Sequence, residues 1–261
     1  MEAYIGEVIG TMILILLGDG VVANVLLGKT KGNNSGWIVI TTAWALAVFT
    51  GAYVSGPISG AHLNPAVSVG LAVAGAFDWA LVPGYIIAQM IGAFLGAVLV
   101  WLAYFNHWAA TSDPGLKLAV FSTGPAIRNT VWNLVTEIIG TFMLLFGILG
   151  IRGGDVNLGS MGFIVVAFLV WAIGLSLGGP TGYAINPARD FGPRLFSGIF
   201  LSGDNMAFDG SYWLVPIIGP LVGGVAGAFF YDFLIKPLLP LPKEPEPQPR
   251  GADVAHEPTN D

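Results

Sequence analysis

The sequence has no cysteine and few charged residues, and both shortages limit what the protein can be. Without cysteine there are no disulfides, no thiolate metal sites and no cysteine nucleophile. Asp, Glu, Lys and Arg make up 10% of the 261 residues, whereas soluble domains carry roughly 25%. Because 54% of the residues are hydrophobic and the mean hydropathy is +0.74, the composition predicts an integral membrane protein.

Residue sets for catalysis and nucleic-acid binding are also scarce. The three histidines, one of which is His256 near the end of the chain, belong to no recognisable Ser/His/Asp set or metal-binding cluster. No basic patch of the kind that binds nucleic acid is present in the sequence. We therefore expect no enzymatic activity, no cofactor, no metal and no nucleic-acid partner.

Long apolar runs predict six membrane-spanning helices, since about 20 residues cross the hydrocarbon layer of a bilayer. Two further segments, an apolar run at residues 65–74 and a short helical segment at 187–196, are too short to cross. These short segments predict half-helices that enter the membrane from one face and stop inside it. The six predicted spans are residues 4–27, 37–54, 81–105, 132–151, 161–177 and 212–234.

Each short segment begins with the same tripeptide, which follows a loop that contains glycine. Proline is favoured in the first turn of a helix and asparagine at its N-cap, so Asn-Pro-Ala predicts a helix start. A helix that starts at membrane depth directs its positive dipole end to the interior, and the carbonyls of its preceding loop must face protein or water. Two such units predict a polar pathway. The tripeptides are Asn64-Pro65-Ala66 and Asn186-Pro187-Ala188.

The two halves of the chain repeat the same order of elements. Glu7 and Glu137 lie in similar segments 130 positions apart, and Asn64 and Asn186 are 122 positions apart. Three spans per half is an odd number, so the second half must insert upside down relative to the first. The sequence therefore predicts an all-α membrane protein with six transmembrane helices and two re-entrant half-helices in an inverted 3+3 repeat.

This repeat predicts one membrane domain over residues 1–236, with halves 1–105 and 130–236 and a linker at 106–129. Within the linker, the segment Asp113-Pro114-Gly115 predicts a turn. Residues 237–261 form a proline-rich acidic tail that we expect to be disordered. Arg194 and Asp232 lie near the ends of predicted segments, so we expect both at the membrane interface. The basic residues of the loops do not decide the orientation in the membrane.

The paired tripeptides and their flanks resemble the major intrinsic protein family, the aquaporins and glycerol facilitators. Ser-Gly-Ala-His-Leu at 59–63 precedes the first unit, and Arg-Asp-Phe-Gly-Pro at 189–193 follows the second. The resemblance covers about residues 3–236, and Asp190 directly after Arg189 is typical of the glycerol facilitators. It implies an aquaporin-like channel domain, a homotetramer with one pore per subunit, and a place in the plasma membrane with both termini cytoplasmic.

The resemblance also implies which residues face the solute. Glu7 and Glu137 would support the two loops by accepting backbone N–H bonds, and Asp190 would support the second loop. The selectivity filter maps onto Trp44, Gly174, Tyr183 and Arg189. The carbonyls along the path would be those of Gly60, Ala61, His62, Gly182, Tyr183 and Ala184.

A pore for glycerol needs an apolar wall opposite a line of hydrogen-bonding groups, because glycerol carries hydroxyls along one edge of a carbon chain. Arg189 can donate two N–H bonds to neighbouring hydroxyls. Trp44 and Tyr183 would form an apolar corner for the C–H side. Gly174 lacks a side chain where water-selective members commonly have His, which makes room. Glycerol facilitators often have Phe at the Tyr183 position, so the hydroxyl of Tyr183 either adds polarity or narrows the pore.

We therefore predict a passive channel that conducts glycerol, other small neutral solutes and some water across the lipid bilayer. Asn64 and Asn186 would donate hydrogen bonds to the solute at the midplane. A water-selective aquaporin is an alternative, against which Gly174 and Asp190 argue. An ion-coupled secondary transporter, which also uses inverted repeats and broken helices, is the other alternative. It would require accumulation against a gradient, and no proton-relay chain of acids runs through the predicted spans.

Overall fold

The computed structural model describes residues 1–153, 158–201, 206–208 and 210–239, and the regular secondary structure of these residues is entirely helical. Among these residues, six helices are long and apolar enough to cross a membrane, which confirms the predicted number of spans. The spans are Glu2–Leu26, Trp37–Ser59, Trp79–Ala103, Thr130–Gly153, Gly159–Leu177 and Tyr212–Leu238.

The α-helices follow the same order in the two halves of the chain. The first half contains α1 (Glu2–Leu26), α2 (Trp37–Ser59), α3 (Pro65–Val73) and α4 (Val82–Ala103). Two short helices, α5 (Phe105–Ala109) and α6 (Pro114–Phe121), connect the halves. The second half contains α7 (Thr130–Gly153), α8 (Gly162–Leu177), α9 (Pro187–Phe200) and α10 (Val215–Phe230). Short 3-10 segments precede α4, α8 and α10 at Trp79–Leu81, Gly159–Met161 and Tyr212–Leu214.

Each half-helix packs on a helix of the opposite half. In the first half α1 packs against α2 and α4, and in the second α7 packs against α10 and α8. The half-helix α3 has more of its contacts with α10 than with α4, and α9 has more with α4 than with α10. Neither half can therefore bury its own half-helix alone, and the two repeats form one body.

Glycines let the long helices approach closely. A Cβ atom at Gly96 of α4 would lie 2.6 Å from Cβ of Ile15 in α1. In the second half, a Cβ atom at Gly219 of α10 would lie 2.6 Å from Cβ of Glu137 in α7. Because lipid provides no hydrophobic force that drives helices together, membrane helices depend on close packing, and small residues at the contact make it possible.

The linker contains a helix where the sequence analysis predicts a turn, so that prediction is wrong. Asp113 is the N-cap of α6, and its Oδ1 accepts hydrogen bonds from the backbone N–H of Gly115 at 2.7 Å and of Leu116 at 3.4 Å. Pro114 occupies the first turn, where its missing N–H is not needed. Val120 and Phe121 at the end of α6 are buried, and their burial stabilises the helix. The segment Asp-Pro-Gly alone is compatible with either a turn or a helix start.

The ends of the elements differ modestly from the predicted ones. The second half-helix continues to Phe200, beyond the predicted end at residue 196. The chain after α10 continues as a π-helical segment, Tyr231–Ile235, and a 3-10 segment, Lys236–Leu238. The first residues of the predicted disordered tail are therefore part of a short helix, and residues 240–261 of that tail lie outside the described residues.

Candidate functional site

The N-termini of α3 and α9 are capped in the same way. Asn64 is the N-cap of α3, and its Oδ1 accepts a hydrogen bond from the backbone N–H of Ala66 at 2.9 Å. Asn186 is the N-cap of α9, and its Oδ1 accepts from Ala188 at 3.0 Å and from Arg189 at 3.2 Å. The prolines that follow occupy the first turn of each helix. The tripeptide thus fixes the direction of both asparagine amides.

The two asparagines also join the halves of the protein. Asn64 Nδ2 donates to the carbonyl of Ile185 at 2.8 Å, and Asn186 Nδ2 donates to the carbonyl of Leu63 at 2.8 Å. The two helix starts therefore meet, each held by the loop of the other half. An amide nitrogen has two hydrogens, so each asparagine keeps a second N–H. Both side chains line the central cavity, where that second donor is available.

The loops before the two asparagines have a backbone conformation that is rare outside glycine. In each loop a glycine and two non-glycine residues have positive φ, a conformation that costs of order 1 kcal/mol or more per non-glycine residue. Such a backbone persists only where its surroundings hold it in place. The residues are Gly60, Ala61 and Leu63 with φ of 81°, 51° and 52°, and Gly182, Tyr183 and Ile185 with φ of 84°, 40° and 44°.

A buried glutamate supports the first loop. Glu7 of α1 accepts hydrogen bonds from the backbone N–H of His62 at 2.9 Å and of Leu63 at 2.7 Å. Its carboxylate also accepts from the Ser59 hydroxyl at 2.7 Å and from Gln89 Nε2 at 2.7 Å. Because the N–H groups are bound to Glu7, the carbonyls of this loop are left for the cavity.

A second glutamate has the same place in the other half. Glu137 of α7 accepts from the backbone N–H of Ala184 at 3.0 Å and of Ile185 at 2.8 Å. Thr181 donates its hydroxyl to the same carboxylate at 2.6 Å. Glu137 is 1% exposed and Glu7 is 0% exposed, so these bonds are protected from competition with water.

The cavity between the loops is amphipathic. Its volume is about 600 Å³, and it passes both asparagines and Arg189. The polar edge includes residues 60–64, 183–186 and Arg189, with Trp44 beside them, and Arg152 is a second arginine in the lining. Of the residues predicted for the selectivity filter and the pore carbonyls, all but Gly174 and Gly182 are part of the lining. The apolar wall includes Val48, Val67, Leu71, Leu144, Ile148, Val166 and Val170.

Three of the predicted filter residues, Trp44, Tyr183 and Arg189, line this cavity. The guanidinium carbon of Arg189 lies 4.0 Å from the centroid of the Trp44 ring, a cation–π contact. Both Arg189 and Tyr183 line the cavity. The Nε1 of Trp44 and the hydroxyl of Tyr183 are buried and have no hydrogen-bond partner among the described residues. Because both atoms are buried without such a partner, each carries a desolvation cost.

The space that Gly174 leaves is occupied by Tyr183. A Cβ atom at Gly174 would lie 2.7 Å from Cζ of Tyr183 and 3.0 Å from its hydroxyl oxygen. Trp37 packs edge-on against the Tyr183 ring, with 5.8 Å between centroids, and donates its Nε1–H to the Gly174 carbonyl at 3.1 Å. Gly174 therefore makes room for the Tyr183 ring, and its effect on the solute is indirect.

Asp190 and Arg194 form a buried ion pair behind the second unit. Arg194 Nε lies 2.7 Å from Asp190 Oδ1, and both side chains are almost fully buried. Thr123 donates its N–H at 2.7 Å and its hydroxyl at 2.6 Å to the other oxygen of Asp190. Arg194 in turn donates to the carbonyls of Thr123 and Ala207, each at 2.8 Å. Arg194, which we predict near the membrane interface, is thus buried inside the protein, where Asp190 one turn earlier compensates its charge.

Several residues that support the site were not identified from the sequence. Gln89, Thr123 and Thr181 each bind a buried carboxylate from a different element. Only Arg194 has a local signal, since Asp and Arg four positions apart on a helix can pair. The other contacts join residues 44 to 82 positions apart, as with Gln89 and Glu7, and no local pattern encodes them.

Comparison with known protein sequences gives consistent matches. The sequence model of the family described as major intrinsic protein matches residues 1–231. A "Probable glycerol uptake facilitator protein" of Thermotoga maritima is 60% identical over 234 residues, which cover 90% of this chain and 100% of that protein. A "Glycerol uptake facilitator protein" of Bacillus subtilis is 50% identical over 236 residues, which cover 90% of this chain and 86% of that protein.

A solved structure matches the fold over most of its length. The X-ray structure of the aquaglyceroporin from Plasmodium falciparum superposes with a TM-score of 0.84 and 35% sequence identity. The match covers 91% of this chain and 97% of that one. All the elements that build the cavity lie between α1 and α9, inside the residues that the family model matches.

Proposed function

The chain belongs to the major intrinsic protein family, and from that premise we propose that its cavity is a passive channel for glycerol and other small neutral solutes, with some water. The observation that carries this proposal is the amphipathic cavity of about 600 Å³, whose polar edge runs past both Asn-Pro-Ala units. Glycerol has the matching shape, with hydroxyls on one edge and C–H groups on the other.

Each group on the polar edge has a specific part in this proposal. Arg189 donates N–H bonds to the solute at the constriction, and the free N–H of Asn64 and of Asn186 donates at the meeting point of the half-helices. Trp44 and Tyr183 contact the C–H side of the solute. The carbonyls accept hydrogen bonds between these points. The lost contacts with water are replaced along the path, so the solute meets neither a deep well nor a high barrier.

Charged species are excluded by the same elements. Arg189 carries a permanent positive charge at the constriction. The N-termini of α3 and α9 add the positive ends of two helix dipoles. Cations and protons therefore meet an electrostatic barrier of the type described for such pores.

A water-selective channel is the second candidate, and one observation favours it. Tyr183 occupies the space beside Gly174, so the ring narrows the constriction compared with a filter in which that space is open. Glycerol entry decides between the candidates, because a constriction that only water can pass still permits osmotic shrinkage of vesicles.

The molecule would work as a homotetramer, with one pore per subunit, in the plasma membrane. Six spans bring both termini to the same side of the membrane, and we place that side in the cytoplasm. The channel domain would comprise residues 1–236, with the remaining tail outside the conduction path. In a tetramer part of the exposed apolar surface, such as Ile38, Phe168 and Phe229, would contact neighbouring subunits and the rest would contact lipid.

Stopped-flow light scattering on proteoliposomes tests this function. Vesicles with the purified protein are mixed with an inward glycerol gradient, and the same preparation receives an osmotic jump with an impermeant solute. We expect rapid shrinkage in both experiments, followed by glycerol-driven re-swelling only in the first. Protein-free liposomes of the same lipid are the control. Fast shrinkage without re-swelling would favour the water-selective candidate.

A further inference from the structure

A buried carboxylate lies beside Arg189, outside the cavity lining. Asp19 of α1 is 0% exposed, and neither of its oxygens has a hydrogen-bond partner among the described residues. Its Oδ1 is 4.0 Å from Nη1 of Arg189. A buried carboxylate without compensation costs several kcal/mol. Arg189, the cation beside it, therefore has to supply that compensation.

The neighbours of Asp19 bring three helices together around Arg189. Gly18 has no side chain, and the six-membered ring of Trp44 packs against its Cα from α2. The same Trp44 ring contacts the guanidinium of Arg189 from α9. Arg189 is thus held between an aromatic face and a carboxylate. This arrangement fixes the side chain at the point where the solute must pass.

The distance between the Asp19 carboxylate and the Arg189 guanidinium is too long for a direct hydrogen bond. Hydrogen bonds between nitrogen and oxygen are about 2.7–3.2 Å long, so 4.0 Å is an ion pair without a direct hydrogen bond. Asp19 therefore compensates the charge of Arg189 without occupying its N–H donors. The guanidinium makes no side-chain hydrogen bond to the described residues, and it lines the cavity. All its donors that face the cavity remain available to a solute.

We propose that Asp19 determines the specificity of this pore for neutral solutes. It orients Arg189 on Trp44 and reduces the positive charge that the constriction presents, while it leaves the donors of Arg189 to the hydroxyls of the solute. Without that compensation, a small oxyanion would bind the same donors through charge-assisted hydrogen bonds and compete with the solute. This inference rests on the proposed function, in which Arg189 contacts the solute.

Two substitutions separate charge compensation from simple packing. Asp19→Asn keeps the size of the side chain and removes the charge. Asp19→Glu keeps the charge, and its additional methylene brings the carboxylate within hydrogen-bond distance of Arg189. Asp78→Asn is the matched control, because Asp78 is exposed. Its side chain caps a short helix by accepting a hydrogen bond from Ala80 N–H. Asn caps helices equally well.

The experiment measures glycerol and water permeability of proteoliposomes in sodium nitrate and in sodium gluconate of equal osmolarity. Nitrate is a small planar oxyanion, and gluconate is too large to enter. The wild-type protein and Asp78→Asn should have the same permeabilities in both salts. For Asp19→Asn, the glycerol permeability in nitrate should be about tenfold lower than in gluconate. This factor is the one expected if nitrate forms a charge-assisted hydrogen bond with Arg189. Asp19→Glu should lose glycerol permeability equally in both salts.

Two results for Asp19→Asn overturn the inference. If Asp19→Asn equals the wild-type protein in both salts, or loses the same factor in both, Asp19 has no role or only a packing role. If Asp19→Asn does not fold, the inference is decided by Asp19→Glu, and wild-type permeability in that variant contradicts it. Absence of glycerol entry in the wild-type protein would instead contradict the proposed function. The nitrate effect on Asp19→Asn can then still be measured from water permeability.

Discussion

At the residue scale, Gly174 and Tyr183 act as a pair. The sequence predicts that Gly174 widens the pore directly, whereas in the structure the Tyr183 ring occupies the space beside it. Any side chain at position 174 would displace that ring. The cavity would then change through Tyr183, which lines it.

We therefore expect Gly174→Ala to reduce glycerol permeability about tenfold, the factor that 1.4 kcal/mol of added barrier produces, and to reduce water permeability less. Gly174→His, with a larger side chain, should have a stronger effect in the same direction. Stopped-flow measurements on proteoliposomes check both. The control is Gly20→Ala in α1, since a Cβ atom there meets nothing within 4 Å. Equal loss of glycerol and water permeability would mean that position 174 does not determine the size of the pore.

Two ion pairs with the same spacing in a helix should differ strongly in energy. Asp190 and Arg194 are buried, whereas Asp232 and Lys236 form an i,i+4 pair at 3.2 Å with Lys236 62% exposed. Removing one partner of a buried pair typically costs about 3–5 kcal/mol, because the other charge is left uncompensated. An exposed pair contributes about 0–1 kcal/mol.

Arg194→Gln should therefore lower the thermal unfolding temperature in detergent clearly, and Lys236→Gln should leave it nearly unchanged. The double variant Asp190→Asn/Arg194→Gln should recover part of the loss, since it leaves no buried charge without a partner. Unfolding can be followed by the intrinsic fluorescence of the tryptophans. Similar unfolding temperatures for the two single variants would contradict the energetic difference between the pairs.

At the element scale, the half-helices and the two glutamates that support their loops could be predicted, whereas the side chains that bind the buried carboxylates could not. The starts of α3 and α9 follow from Asn-Pro-Ala, because a cap residue and a proline are local signals. The helix α6 begins with the equivalent Asp-Pro, a signal that also fits a turn. The burial of Val120 and Phe121 at its end favours the helix, and the sequence does not indicate that burial. Gln89 and Thr123 reach Glu7 and Asp190 across 82 and 67 positions. Such contacts depend on helix packing and have no periodic pattern.

The two loop-supporting glutamates should differ in their tolerance to substitution. Glu7 accepts four hydrogen bonds, two from backbone N–H groups and one each from Ser59 and Gln89. Glu137 accepts three, from Thr181 and two backbone N–H groups. A glutamine has one acceptor oxygen, and its NH₂ group would face donors. Each buried donor left without a partner costs about 1–3 kcal/mol.

We therefore expect Glu7→Gln to destabilise the protein more than Glu137→Gln, and both to reduce glycerol permeability because the loop carbonyls lose their alignment. Thermal unfolding in detergent and stopped-flow permeability are the measurements. Glu2→Gln, at an exposed position in the first turn of α1, is the matched control. Wild-type stability and flux in both buried variants would show that the carboxylates are not needed to hold the loops.

At the scale of the whole molecule, the two repeats are locked together at the centre. The sequence predicts the six spans and the inverted repeat, and both predictions are confirmed by the helices and by the match to a solved aquaglyceroporin. The mutual hydrogen bonds of Asn64 and Asn186 with the opposite loops, and the packing of α3 on α10 and α9 on α4, are not visible in the sequence. These contacts join the two halves at the centre of the proposed pathway. Alternating access requires one repeat to move against the other, and these contacts oppose such a movement.

The buried acids support the same conclusion about transport. Within the described residues the buried acidic side chains are Glu7, Asp19, Glu137 and Asp190. Two of them bind backbone N–H groups of the loops, and two face arginines. Each therefore has a fixed partner, and they form no chain along which a coupling proton could move. Glycerol flux should depend on the glycerol gradient alone.

We expect radiolabelled glycerol to equilibrate across proteoliposomes and never to exceed its external concentration. Neither a potassium diffusion potential set with valinomycin nor a pH gradient should change the initial rate, because glycerol is neutral and no coupled ion moves with it. Vesicles without an imposed gradient are the control, and dissipation of each gradient by an ionophore verifies that it was present. Accumulation that disappears on dissipation would require a moving, ion-coupled site, which the locked halves could not provide.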